Sequence, residues 1–356
     1  MIYVGIDVHK RKCQSALMTE KGTILDELSF ENNNQGLTIL IEKLQNLGQA
    51  EAVLESTGNF WIKTYEALEA AGIKTTLSNP LKTRAIAEAR IKTDKIDART
   101  LAHLLRADLV AASYVPDKET RARRALLRHR AGLVKNRTEI KNRIHNLLDK
   151  YDLHSDYSDI FGKHGLEWLR NLQLPPIDKT ILNSDLQLLD ALDQQIMSMN
   201  VEIAKIACNQ EDVKLLMTMP GIDYYAAMII SSEIGDVKRF SEAEKLASWA
   251  GLTPSTRQSG TRIKRGHITK QGSRTLRWIL VQAAQNSHRS DQRFQHLYQR
   301  IAARRGENKA IIAVAREMLT VAYYMLTRRE GYRGMNMDRY KEKLKNLERT
   351  ANHGLH

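Results

Sequence analysis

The chain has 356 residues, more than one core of ordinary size organises, so two or three domains are expected. Hydrophobic residues make up 42% and charged residues 27%, a composition that excludes a disordered chain, and a formal net charge of +14 with a pI of about 9.6 points to a polyanionic partner. No apolar run approaches the roughly 20 residues of a spanning helix. The first residues lack the basic-then-apolar layout of a signal peptide. Two cysteines, Cys13 and Cys208, are too few for a disulfide framework or a structural zinc site. A cytoplasmic chain with reduced thiols and no membrane partner is expected.

Residues 2–8 read as a buried strand in which Gly5 allows close backbone approach. Residues 13–19 and 23–30, separated by Lys21-Gly22, read as a hairpin pair. An amphipathic helix over 35–48 closes at Gly48, a short strand follows over 51–56, a helix over 60–72 stops at Gly72, and residues 73–78 form another strand. After Asn79-Pro80 the pattern is helical to Ala107, with a break near 90–93. The order is that of a mixed sheet with helices packed on it.

Residues 118–150 hold eleven Lys or Arg and three acids, and Leu126, Leu133, Ile140 and Leu147 recur at heptad spacing. A polar connection to Pro175-Pro176 leads to a second heptad row, Leu182, Leu189, Ile196 and Ile203, with Asp185 interrupting its companion row. Two such helices suggest an antiparallel coiled-coil hairpin or an oligomerisation arm; a plain bundle with a solvated basic face is the alternative. From 208 the chain is helical. Its Met219-Pro220-Gly221-Ile222 turn resembles that of a helix-hairpin-helix module, whose exposed amides bind phosphate. A Gly-, Ser-, Thr- and Arg-rich loop over 249–273 precedes three helices ending near Leu326, and the polar tail is expected to be partly disordered. Trp249 and Trp278, like Met217, Met219 and Met228, read as core.

Asp7 in the first strand, Glu55 at the end of a neighbouring one, and Asp94 and Asp97 three apart on a helix form a plausible set of metal carboxylates. Two Mg2+ ions held by such a set can clamp both oxygens of a phosphoryl transfer. Singly, each acid has a plainer role: Asp7 in a turn, Asp94 as a helix N-cap with Asp97 complementing the first turn. Two acids on a sheet, closed by a helix with two more, is a layout similar to RuvC- and RNase H-like nucleases. Residues 250–290 contain eight Lys or Arg and no acid. Phosphate contact is therefore expected from Arg257, Arg262, Lys264, Arg265, Lys270 and Arg274, and from Arg121, Arg123, Arg124, Arg128 and Lys135 on the basic helix.

The segments VGIDVHK, LESTGNFW, KTDKIDARTLAHLL, MTMPGIDYYAAMIISSEIGDVKRF and GHITKQGSRTLRWIL, in this order, resemble the DEDD-type transposases of the insertion-sequence one-ten family, relatives of the pilin-gene invertases. The resemblance implies an α/β plus α architecture: a RuvC/RNase H-like mixed-sheet domain over 1–112, a coiled-coil arm over 113–207, a mostly helical transposase domain over 208–330 and a polar tail over 331–356. It implies a site-specific DNA recombinase that uses Mg2+, acts on donor and target double-stranded DNA, is guided by a non-coding bridge RNA, and works as a homo-oligomer, dimer or tetramer. It also implies a serine nucleophile. The family motif commonly reads Ser-Ser-Gly, and here it reads Gln258-Ser259-Gly260, which places Ser259 on the second serine; were the first the nucleophile, Ser255 would be the fallback. The only histidine near Ser259 in sequence is His267, so activation is expected from the acids. Without the resemblance, Ser259 is a phosphate-binding loop serine. Two other functions stay open: a structure-specific nuclease using metal-activated water, and a non-catalytic DNA- or RNA-binding regulator.

Overall fold

Strand β1 (Ile2–Val8) alternates as a two-faced central strand should: Val4, Ile6 and Val8 enter one core, while Gly5 and Asp7 face the other way. In this computed structural model, which describes residues 1–55, 58–87, 93–259 and 262–353, β1 pairs antiparallel with β2 (Lys12–Thr19), and β2 antiparallel with β3 (Ile24–Glu31). Helix α1 (Asn34–Leu47), N-capped by Asn33, buries Leu37, Leu40 and Leu44 on the sheet and returns the chain to β4 (Ala50–Glu55), parallel to β1. Helix α2 (Trp61–Ala70) then leads to β5 (Lys74–Ser78), parallel to β4. The sheet order is β3-β2-β1-β4-β5. Asn79 caps α3 (Pro80–Ile86), and Thr93 caps α4 (Asp94–Arg106). Of the break expected near 90–93, residues 90–92 lie outside the described ones.

The chain forms two compact units, Met1–Pro116 and Asp117–His356. The second begins with α5 (Lys118–Lys150), passes through α6 (Lys163–Asn171), and returns along α7 (Pro176–Cys208). Arg130–Asn200, Arg137–Asp193, Arg143–Asp185 and Lys150–Asp178 are successive cross-helix pairs, so α5 and α7 run antiparallel. The second heptad row is the buried seam of α7, and Asp185 interrupts its companion row to meet Arg143 at 2.5 Å. On α5 the buried apolar positions are Leu127, Ile140, Ile144 and Leu148: Leu127 and Leu148 stand one residue past the expected row, Ile140 lies on it, and Ile144 falls between its positions. The connection expected to be merely polar contains α6, whose Leu166 and Leu169 join the hairpin's distal core.

The remainder is built around helices α8 (Glu211–Met217), α9 (Tyr224–Ile234) and α10 (Ala243–Trp249), with a 3-10 turn at Val237–Arg239 between the last two. The segment expected as a loop carries a two-stranded hairpin, β6 (Pro254–Ser259) and β7 (Arg262–Ile268). Helices α11 (Arg274–Ser290), α12 (Gln292–Arg305) and α13 (Glu307–Arg328) follow. Among the described residues α13 is the one helix long and apolar enough to cross a membrane, but Val314, Ala315, Met318 and Leu319 spend its apolar face on the core. The tail expected to be partly disordered instead forms α14 (Met337–Asn352), which packs on α7 and α8 through Leu347 and Ala351. Tyr332 anchors the approach to it, stacking on Phe294 and donating from its hydroxyl to Asp291. Met217, Met219 and Met228 are core, and Trp249 is partly buried beside Phe240. Trp278, expected in the core, is 41% exposed on α11, because its neighbours Leu276, Ile279 and Leu280 occupy the inward face.

Candidate active site

The parallel register of β1 and β4 sets Ile6 beside Leu54, with both side chains in the same core. One residue further along, Asp7 and Glu55 therefore stand at the same end of the sheet and on its opposite face. Helix α4 covers that face. It approaches β1 closely because Gly5 has no side chain: a Cβ there would lie 2.0 Å from the Ala98 carbonyl oxygen and 2.5 Å from the Ala102 nitrogen. The facing positions on α4 are themselves small, Ala98 and Ala102, both fully buried. Arg99 fastens the helix laterally by donating to Glu27 of β3 at 2.5 Å. Thr93 accepts from the Ile96 amide and starts the helix so that Asp94 and Asp97 occupy its first turn.

Asp7, Asp94 and His9 converge. The His9 Nε2 lies 3.1 Å from the Asp7 Oδ2 and 3.4 Å from the Asp94 Oδ1. Asp7 is the sunken member, its side chain 14% exposed against 66% for Asp94. Burial pushes the Asp7 carboxyl above the ordinary carboxylate value, His9 pulls it down, and the charges of Asp94 and Asp97 push it up again. A half-buried carboxylate held among like charges carries electrostatic strain that a divalent cation would relieve. Oxygen donors from several carboxylates suit a hard cation, and the imidazole adds a nitrogen donor.

His9 was missed in the sequence, although a signal is present: it follows the end of β1 two residues after Asp7, a spacing that in extended chain returns to the same face. The Asn32 side chain, which donates to the His9 carbonyl at 2.8 Å, fixes the turn after β1. Cys13, fully buried on β2 with its thiol pushed up to about 11 by burial, is inert structural packing.

Ser259 belongs to the other unit, where it ends β6 opposite Arg262. Gly260, and the side chains of Arg257, Ser259, Arg262 and Arg265, lie outside the described part. Ser255 faces Gly266 across the hairpin, where an added Cβ would meet its Oγ at 2.5 Å. Lys264, Lys270 and Arg274 are exposed.

The basic helix divides. Lys135 is exposed and pairs locally with Glu139, whereas Arg124 and Arg128 have internal duties. Arg124 donates to the carbonyls of Ser232 and Glu233 at the end of α9, at 2.8 and 2.9 Å. Arg128 places two donors on the buried Glu233 carboxylate, at 3.1 and 2.6 Å. Arg123 turns back to Glu119 and Thr120. Replacing Arg124 and Arg128 together by Ala should destabilise the second unit by about 2–3 kcal/mol, below the cost of stranding a fully buried charge because Arg128 is half exposed. Adding Glu233→Gln should recover part of that loss in a urea melt; no recovery would mean that the arginines act otherwise.

The Met219–Ile222 turn also departs from the phosphate-binding reading. Met219 and Ile222 are buried, and Gly221 packs tightly on α11. The α9 N-terminus is closed by Asp223, whose carboxylate accepts from the Ala226 amide at 2.7 Å. A carboxylate already occupies the position an incoming phosphate would need.

The chain matches two family models: the DEDD-type IS110 transposase model over residues 4–152, and the "Transposase IS116/IS110/IS902 family" model over residues 213–299. It is 29% identical to the transposase for insertion sequence element IS1111A of Coxiella burnetii, over 93% of this chain and 91% of that one. It is likewise 29% identical to the pilin gene-inverting protein of Moraxella lacunata, over 91% of this chain and 95% of that one. The insertion element IS110 43.6 kDa protein of Streptomyces coelicolor is 23% identical, over 91% and 94%. These matches define a transposase-class enzyme that cleaves and rejoins DNA. The chain belongs to the IS110 family of DEDD transposases.

Proposed function

We propose that this chain is a bridge-RNA-guided DNA recombinase that cleaves and rejoins donor and target DNA through a serine–phosphate intermediate. The convergence of Asp7 with Asp94, near Asp97 and on the sheet face shared with Glu55, is the observation that carries the reading. The strand order, with three antiparallel strands followed by two parallel ones, supports a RuvC/RNase H-like first domain. In this reading the hairpin of α5 and α7 is the arm of an oligomer and residues 208–330 are the transposase domain. Asp7, Glu55, Asp94 and Asp97 would hold Mg2+, with His9 orienting Asp7 and Asp94. Bound there, the cation supplies positive charge against the scissile phosphate.

The remaining chemistry belongs to side chains. The Ser259 Oγ attacks the phosphorus, its proton leaves to a base, and one DNA ester bond is exchanged for a serine ester. The oxygen released from the DNA phosphodiester takes up a proton to become a DNA hydroxyl. Arg257 and Arg262, flanking Ser259, are placed in sequence to stabilise charge on the non-bridging oxygens. Resealing is the reverse attack by a DNA hydroxyl, which restores the serine. The ester conserves the energy of the broken phosphodiester, so rejoining needs no nucleotide cofactor.

Ser259→Ala should abolish the covalent protein–DNA adduct seen on denaturing gels and recombination with it, while leaving DNA and RNA binding nearly intact. A mixture of Ser259→Ala and Asp7→Asn proteins should regain activity if each site takes acids from one protomer and serine from another. Undiminished strand cleavage by Ser259→Ala alone would move the reaction to metal-activated water and overturn the serine mechanism.

A further inference from the structure

Beside the hairpin lies a groove of about 1040 Å3 that the serine mechanism does not use. Its walls come from β7 and the segment after it, from α12 and from the start of α13, all within the second unit. The aliphatic lining is Leu252, Ile268, Ile301 and Ile312, buried or partly covered and forming the floor, with Pro254 exposed at its edge. The rim is cationic on both sides, with His267 and Lys270 facing Arg300, Arg304, Lys309 and Arg316. No acid lines it, and among the described residues none of these Arg or Lys side chains has a carboxylate partner. On α12 the positions are four apart, Arg300 and Arg304, and on α13 seven apart, Lys309 and Arg316, so each helix presents its cations along one face.

Lys270 is held there at a conformational cost. Its φ is 56°, a left-handed backbone that lysine adopts only when the surroundings impose it. Those surroundings are a rigid frame. The Lys270 amide donates to the Gly251 carbonyl, the Thr269 amide to that of Thr253, and the Arg277 guanidinium to those of Ala250 and Gln271. Gly251 and Gly272 pack so closely on this frame that a Cβ at either would lie within 2.4 Å of a backbone oxygen.

We infer that this groove is a channel for single-stranded DNA leading away from the hairpin that bears Ser259. The ligand follows from the two kinds of lining. A duplex presents phosphates outward all round and would leave the aliphatic floor uncovered. A single strand offers bases and sugars to the floor and phosphates to the cations on either rim. DNA is the occupant because the groove lies at the base of the hairpin whose other end carries Ser259: β7 lines it with Gly266, His267 and Ile268, beside Pro254 and Thr256, while Ser259 pairs with Arg262 at the far end. The inference rests on the serine reading for its choice of DNA, and on the groove's own chemistry for its choice of a single strand.

The test uses the full chain carrying Asp7→Asn, so that binding is read without chemistry. Fluorescence anisotropy would be measured with a short labelled DNA strand, its duplex and an RNA of the same sequence. Replacing Arg300, Arg304, Lys309 and Arg316 with Gln should weaken single-strand binding at least about tenfold and lower the log–log salt slope by roughly 0.7 for each phosphate no longer neutralised. The duplex should lose much less. Lys270→Gly should also weaken single-strand binding, yet melt no lower than the parent, because glycine accepts the left-handed backbone. That separates loss of an ammonium from loss of fold. Unchanged slopes in both variants would overturn the channel, as would equal losses on the duplex, or losses on RNA alone. The serine reading is judged separately by the adduct: if adducts form without Ser259 while these variants still lose single-strand binding, the channel stands and that reading falls.

Discussion

Gly5→Val should unfold the first unit's site before it touches any acid. The added Cβ would sit 2.0 Å from the Ala98 carbonyl oxygen and 2.5 Å from the Ala102 amide nitrogen, and backbone atoms, unlike a side-chain tip, have no rotamer by which to retreat. Helix α4 must therefore lift from β1 as a body. Overpacking of this kind costs about 3 kcal/mol, at the upper end of its usual range. The functional loss should be greater than the stability loss, because α4 carries Asp94 and Asp97 in its first turn while Asp7 stays on the strand. Lifting the helix parts Asp94 from His9 and Asp7, and a site that must hold its donors to within about 0.5 Å does not survive that. Gly48→Ala is the control. Its φ of 95° makes any side chain costly, but nothing lies within 4 Å, so about 1 kcal/mol should be lost with metal affinity unchanged. Urea melts with Mg2+ titrations on the two variants would separate the effects; a Gly5→Val protein that still bound Mg2+ at parental affinity would show that α4 does not position the acids.

What the sequence made legible was whatever runs apolar or repeats with a period. The apolar run of residues 2–8 reads as a strand covered on both faces and the seven-residue recurrence on α7 as one buried face, and both elements are buried in those ways here. Gly5 was legible as a close approach, but which helix approaches requires the third dimension. The hairpin β6–β7 was not legible. Pro254, Ser255, Thr256, Gln258 and Lys264 are all exposed or only partly covered, and strands that bury neither face leave no apolar alternation. Helices α6 and α14 are short or largely polar, and are held by a few contacts such as Leu169 and Leu347. Charge was legible as a total and not as a location. Arg124 and Arg128 counted toward a nucleic-acid face, yet they close the end of α9, while Arg300, Arg304, Lys309 and Arg316, spread thinly over two helices, line the basic groove.

Asp7→Asn should separate stability from function in opposite directions. The change is nearly isosteric, so packing on β1 is kept. In metal-free buffer near neutral pH the variant should be at least as stable as the parent. The folded parent holds a half-buried charge next to those of Asp94 and Asp97, and its carboxyl is pushed above the ordinary value of 3.8 by burial first of all. The sign follows from proton linkage: a raised carboxyl binds its proton more tightly folded than unfolded. Its ionisation therefore costs stability as pH rises through the raised value, and costs nothing below about 3.8. The stability gap between variant and parent should be largest near neutrality and close as pH falls. Mg2+ should reverse the order, stabilising the parent by mass action and leaving the variant unmoved. Strand cleavage should fall by several kcal/mol of transition-state stabilisation, about 10^3-fold or more, since the amide supplies no charge to hold the cation. Thermal melts with and without Mg2+ across pH, beside single-turnover cleavage, would measure both arms. If Asp7→Asn were less stable than the parent without metal and equally stabilised by Mg2+, Asp7 would be a structural hydrogen-bonding residue of the turn after β1, and the metal site would lie elsewhere.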